Sequence, residues 1–114
     1  PIEIFFLDSQ SGWMSNSNGH LGRSTDGGKT WADILNPATV WEKYPMWPFF
    51  QKLFFADSMN GWGLDNRGDL YKTSDGGQTW TKAISGLELK HIQFLNHHLA
   101  LGVSKESLYR IALR

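Results

Sequence analysis

The sequence predicts an all-β chain, a β-propeller segment of two full four-stranded blades plus a partial third. Three observations carry this expectation. The first is an internal duplication. Residues 5 to 31 (FFLDSQSGWMSNSNGHLGRSTDGGKTW) align without a gap on residues 54 to 80 (FFADSMNGWGLDNRGDLYKTSDGGQTW), with 13 of 27 positions identical. Asp26 and Asp75 stand 49 positions apart, as do Trp31 and Trp80, a blade-sized period. The second is turn chemistry at short, regular intervals. The third is composition: 12 Gly and 6 Trp among 114 residues suit short strands and many turns around a core of flat, β-favouring side chains. No stretch sustains a 3.6-residue apolar period, so almost no helix is expected.

Each unit parses into four strands. In the second copy these are about Lys52–Ala56, Gly61–Asp65, Asp69–Ser74 and Thr79–Ile84. The breaks fall at Asp57-Ser58-Met59-Asn60, Asn66-Arg67-Gly68 and Asp75-Gly76-Gly77, where Asp, Asn and Gly favour turns. A third, degraded copy follows: Ile92 to Leu95 echo the opening strand, Leu99 to Val103 the second, and Leu108-Tyr109-Arg110 the third. The expected division is 1–49 (first blade with an aromatic-rich link), 50–89 (second blade) and 90–114 (partial third), all in one propeller-type domain. A closed propeller needs at least about four blades. The favoured solution is a longer propeller of which this is part. The alternative is assembly of several copies into one ring.

Charge and composition narrow the function classes. Lys plus Arg equals Asp plus Glu, so the formal net charge is zero. That argues against nucleic acid, which calls for a clustered positive surface. No apolar run approaches the ~18 residues of a membrane-spanning helix. With no cysteine, stability rests on packing and hydrogen bonds. The start, Pro1-Ile2-Glu3, shows no signal segment, although a removed leader or excision from a longer chain is compatible with it. An extracytoplasmic bacterial compartment, periplasmic or secreted, is the location favoured.

The sharpest motif is Ser24-Thr25-Asp26-Gly27-Gly28-Lys29-Thr30-Trp31, repeated as Thr73-Ser74-Asp75-Gly76-Gly77-Gln78-Thr79-Trp80. Both match the Asp box, S/T-x-D-x-G-x-T-W. At a hairpin tip, the Asp26 and Asp75 carboxylates accept backbone N–H groups of their own turn. Gly28 and Gly77 supply positive φ, and Thr30 and Thr79 bond back across the turn. Trp31 and Trp80 then bury between neighbouring blades, each contributing about 3 kcal/mol. A carboxylate that caps its own turn is ionised and occupied, and so poorly suited to general acid–base work. No catalytic residue, metal ligand or cofactor is expected. Asp8 and Asp57, with Ser9 and Ser58, recur in both copies, which favours a structural role over a single active site.

The whole unit resembles the repeat of photosystem II stability/assembly factor-like propellers. The pattern F-x-D-x-x-x-G-W, then G-x-L, then T-x-D-G-G-x-T-W stands here as Phe55-Ala56-Asp57 with Gly61-Trp62, Gly68-Asp69-Leu70, then Thr73 to Trp80. The likeness covers residues 3–84. It is similar, more broadly, to the Asp-box (BNR-type) repeats of sialidases and sortilin-type receptors. The resemblance implies a several-bladed scaffold for a protein partner, with the boxes on the face away from the ligand. An arginine-rich partner surface is not evident, since Arg23, Arg67, Arg110 and Arg114 are the only arginines. A carbohydrate-binding or sialidase-like propeller is the alternative function. It lacks support here from an Arg-Ile-Pro motif or an arginine trio. Glu42 and Asp33 are the only carboxylates in the 32–53 link, too few for a glycosidase pair.

That link also holds the candidate binding residues, Trp41, Tyr44 and Trp47. Loops carry function disproportionately, and Trp and Tyr are enriched at binding surfaces. They would recognise a protein or a glycan, or equally plug the blade junction or central channel, the reading favoured for Phe49 and Phe50. Arg67-Gly68-Asp69 spells an integrin-type tripeptide, but its Gly aligns with Gly19 and a turn explains it. His97-His98, with His91, lacks Cys, Asp or Glu at ligand spacing and reads as a solvated turn.

Overall fold

The computed structural model describes residues 2–16, 19–35 and 50–113. All the regular structure among them is strand. The strands are β1 (Ile2–Phe6), β2 (Gly12–Asn16), β3 (Leu21–Ser24), β4 (Ala32–Leu35), β5 (Phe50–Phe55), β6 (Gly61–Asp65), β7 (Leu70–Thr73), β8 (Thr81–Ile84), β9 (His91–Phe94), β10 (Leu99–Val103) and β11 (Leu108–Ala112). They form three antiparallel meanders, β1-β2-β3-β4, β5-β6-β7-β8 and β9-β10-β11. The duplication is visible in the register. Phe6 pairs with Gly12 as Phe55 does with Gly61, and Trp13 with Arg23 as Trp62 does with Lys72. The ladder shifts at Leu21/Gly22 in the first meander and at Leu70/Tyr71 in the second, the same place in each repeat. The second copy's opening strand starts at Phe50, two residues earlier than the turn chemistry suggests. Phe50 thus belongs to the core, 3% exposed against Tyr71 and Trp80.

The sheets stack face to face, each laying a front face on the back of the next. At the first junction Trp13, fully buried, stacks on Phe55 with centroids 3.6 Å apart and planes 2° from parallel. Its indole N–H donates to the Gly76 carbonyl at 2.8 Å. The Arg23 guanidinium lies 4.4 Å from the same ring, an arrangement that favours charge over a π face. Leu21, Phe50, Leu53, Tyr71 and Trp80 complete this core. The second junction uses equivalent positions. Trp62, Leu64 and Leu70 pack on Leu89, Ile92, Ala100 and Ile111, and Phe54 stacks on Phe94. Pairwise aromatic contacts of this kind add to area burial.

One expectation is corrected. Trp80 is buried between two sheets, but its counterpart Trp31 is only partly buried, with Phe6 edge-on to it at 5.9 Å. The residues are equivalent and their neighbours are not: among the described residues no sheet packs on that side of β1–β4. Inter-blade burial needs the second blade, however well the motif is formed.

Candidate functional site

The two Asp-Gly-Gly turns are built alike. Ser24 Oγ donates to Asp26 Oδ1 at 2.9 Å and accepts from the Gly28 amide at 2.9 Å. The Thr30 amide and hydroxyl both donate to the Asp26 carboxylate, and the Trp31 indole donates to the Gly28 carbonyl. Thr73, Asp75, Gly77, Thr79 and Trp80 repeat every one of these bonds. Gly27, Gly28, Gly76 and Gly77 all adopt positive φ. The Gly27 amide reaches Gln10 O and the Gly76 amide Met59 O, tying each turn to the neighbouring Asp8 or Asp57 turn. Those aspartates accept two amides each, from Gln10 and Ser11 and from Met59 and Asn60.

The electrostatics follow from the bonds. The Thr30 hydroxyl and amide, then Ser24, hold the Asp26 carboxyl down at about 2. Burial pushes Asp75 upward, but donation from Thr79 and Thr73 outweighs it and keeps the group below the usual carboxylate range. Backbone donation from Gln10 and Ser11 lowers Asp8, and Asn60 and Met59 lower Asp57. A carboxylate stabilised in its charged form is a weak proton acceptor and donor at neutral pH. The sign for stability is that of a depressed acid. Its contribution is present above the ordinary value of 3.8 and is lost as pH falls toward 2. Melting temperature is therefore expected to drop across that window. A double Asp26→Asn, Asp75→Asn variant should melt lower at pH 7 and show a shallower drop, with Asp8 and Asp57 supplying what remains. An equally steep acid profile in the variant would rule these carboxylates out as its source.

The opposite ends of the sheets carry the hairpin tips and links. At the β6–β7 tip the fully buried Asp65 accepts the Arg67 and Asp69 amides at 2.8 and 2.9 Å. Tyr71 lies close by; burial first, then the Asp65 charge, pushes its phenol up to about 12. The segment after β8 folds over this tip. The Leu89 amide donates to Gly68 O, and the Gly86 amide to Asp69 Oδ1. Asp69 also pairs with Lys82 at 3.4 Å and has a side chain only 15% exposed, so the Arg-Gly-Asp tripeptide does not display its carboxylate. Between this segment and the β10–β11 tip runs a cleft lined by Glu88, Lys90, Lys105, Glu106 and Tyr109. A second cleft follows the opening strands of the three meanders, β1, β5 and β9, lined by Glu3, Phe5, Lys52, Phe54, Gln93 and Phe94. In it, Glu3 accepts the Leu53 amide and lies 3.9 Å from Lys52.

Trp41, Tyr44, Trp47, Glu42 and Phe49 lie outside the described residues. Asp33 stands 3.6 Å from His20. His97 and His98 are exposed neighbours with rings 3.8 Å apart, and the His98 amide donates to Asn96 Oδ1. Among the described residues no three His, Asp or Glu side chains converge as a metal site, and no helix is long and apolar enough to cross a membrane. Sequence reasoning missed the Trp13–Arg23 and Trp62–Lys72 pairs. A cation recurring ten positions after each Gly-Trp was the available signal.

No family model and no curated protein sequence matches the chain. Solved structures do match. One, of YCF48 bound to D1 peptide, superimposes with a TM-score of 0.69 at 24% identity over 95% of this chain and 35% of that one. Another, YCF48 from Cyanidioschyzon merolae, gives 0.68 at 20% identity over 94% and 35%. The chain is a β-propeller segment. It spans 35% of the length of each of these structures, and at this identity the likeness shows the fold alone. Its three meanders of four, four and three strands are blades in that architecture.

Proposed function

We propose that the chain is a non-catalytic propeller scaffold that binds a protein partner on the side of the hairpin tips and links. The observation that carries this reading is the occupancy of its recurring carboxylates. Asp8, Asp26, Asp57 and Asp75 are all engaged by their own turns and held below the ordinary carboxylate range. That leaves them framework rather than chemistry. The similar YCF48 structure holds a D1 peptide, which supports a peptide or protein ligand over a small molecule.

In this reading the two turns are Asp boxes with a structural role. The blades divide at 1–49, 50–89 and 90–114, and the 36–49 link supplies the partner contact through Trp41, Tyr44 and Trp47. Titration calorimetry of the chain with D1 peptide, beside a glycan array, tests it. Saturable binding of the peptide alone supports the scaffold reading. Glycan binding without peptide binding overturns it in favour of a lectin. Replacing Trp41, Tyr44 and Trp47 with Ala should weaken peptide binding at least about tenfold, because aromatic anchors dominate interface energetics, while leaving the melting temperature within a few degrees. A collapse of the fold instead would assign these side chains to the blade junction.

A further inference from the structure

The repeat allows the two junctions between sheets to be compared position by position. Glu3, Lys52 and His91 are equivalent by their pairing with Ser15, Leu64 and Val103. Ile4, Leu53 and Ile92 follow them, paired with Met14, Gly63 and Gly102. At the first junction the chain fills a small anion site with a carboxylate of its own. Glu3, from the first sheet, accepts the Leu53 amide of the second at 3.3 Å and lies 3.9 Å from Lys52 Nζ. The Leu53 amide is available because of its place in the ladder. Antiparallel pairing alternates, and the Ala56 amide donates to Asn60 O, so the bonds to β6 fall on Ala56 and Phe54 and skip Leu53. β5 ends its meander, so the skipped amide faces away from the sheet, toward Glu3.

The second junction repeats the donors and omits the acid. The Leu95 amide donates to Leu99 O, so the same alternation skips Ile92, and β9 ends its meander as β5 does. The Ile92 amide therefore faces the open edge, as that of Leu53 does. His91 stands in the place of Lys52, and Lys52 itself stands in the place of Glu3. Lys90 precedes His91 where Gln51 precedes Lys52. Gln51, Lys52, Leu64, Lys90, His91 and Ile92 line one cleft, with no carboxylate among them. Its charged side chains and His91 are exposed, and Leu64 and Ile92 are buried beneath them. Glu3 and Glu88 line two neighbouring clefts, which share Lys52 and Lys90 with this one. The walls of the cleft, β5, β6 and β9, meet at an internal junction of the stack.

We propose that this cleft takes an acidic side chain of a protein partner, whose carboxylate occupies at the second junction the place that Glu3 occupies at the first. The inference rests on the scaffold reading, which makes the partner a protein, and adds the chemistry which that partner presents. The ligand's carboxylate accepts the Ile92 amide, as Glu3 accepts that of Leu53. Lys90, His91 and Lys52 surround it, with Lys52 shared between the ligand and Glu3. A carboxylate gains charge-assisted bonds from these groups that a neutral oxygen does not.

Nuclear magnetic resonance titration of the isotope-labelled chain with end-capped hexaglutamate, beside end-capped hexaglutamine, tests this. The Ile92 amide proton should move downfield and saturate with hexaglutamate, and stay in place with hexaglutamine. Lys90→Glu, at an exposed position, should weaken hexaglutamate at least about tenfold with an unchanged circular dichroism spectrum. His91→Ala serves in its place should that variant not fold. Lys29→Glu makes the same change of charge on the first Asp-Gly-Gly turn, at the opposite end of the sheets, and should leave the affinity within about twofold because salt screens so distant a charge. An Ile92 amide unmoved up to about 1 mM hexaglutamate, near the weakest contact counted as binding, overturns the inference. Equal weakening by Lys90→Glu and Lys29→Glu overturns it as well, since the attraction would then belong to no one site. D1 peptide tests the scaffold reading separately. Should that peptide bind while hexaglutamate leaves Ile92 unmoved, the scaffold stands and the carboxylate site falls. Movement of Ile92 without D1 peptide binding supports the site and counts against the scaffold reading alone.

Discussion

Replacing Trp13 with Ala should cost about 4 kcal/mol, the upper part of the range for large aromatic truncations in a core. The site meets every condition for a large loss. The side chain is fully buried, stacks on Phe55 at 3.6 Å and joins two sheets that share no strand pairing. Domains of this size are held by roughly 5–15 kcal/mol, so the loss is a large share of the whole. With a urea slope of about 2 kcal/mol/M the midpoint should fall by roughly 2 M. Two further variants separate the causes. Trp13→Phe keeps an aromatic against Phe55 but removes the indole donor from the Gly76 carbonyl, which should cost about 1–3 kcal/mol for a buried acceptor left unpaired. Trp31→Ala removes the same residue type from a half-covered face and should cost only about 1.5 kcal/mol. Equal midpoints for Trp13→Ala and Trp31→Ala would show that the sheet junction does not hold the fold together.

Gly68→Ala should be the most damaging change that adds a single methyl, at about 3 kcal/mol. Two effects add. The residue sits at φ 86°, a left-handed conformation that alanine adopts only at a cost. A Cβ there would also stand 2.4 Å from Leu89 N and 2.7 Å from Glu88 C, both backbone atoms of the segment folded over the tip. Gly86 has the same φ of 86° but nothing within 4 Å of its would-be Cβ. Gly86→Ala should therefore cost only about 1 kcal/mol, and the difference isolates the close approach of the 85–90 segment. Thermal melts of the two variants measure it. Matching melting temperatures would mean that this segment does not rest on the β6–β7 tip. The result also bears on the Arg-Gly-Asp tripeptide, whose glycine is held by packing against Glu88 and Leu89.

Much of this architecture was legible before any coordinates. Turn chemistry and the 49-residue period placed the strands of the second and third meanders to within two residues, because Asp, Asn and Gly act locally on the chain they belong to. The same locality explains Asp26 and Asp75. Their partners lie within four residues, so the motif alone predicts the bonds and the lowered carboxyls. Phe50 was harder to place. Its role depends on Tyr71 and Trp80, some twenty to thirty positions away, and no local pattern marks the start of β5.

The sequence by itself determined the repeat, the strand order within each meander and the way that each turn satisfies its own carboxylate. These are matters of short-range hydrogen bonding and of side chains alternating along a strand. Only the tertiary structure decided which of two equivalent residues is buried. Trp31 and Trp80, Ile4 and Leu53, and Leu70 and Leu108 are matched in sequence position and differ in environment, because burial is conferred by the neighbouring sheet and not by the residue. The front-to-back stacking of the three meanders assigns one member of each pair to a junction and leaves the other at an open end of the stack.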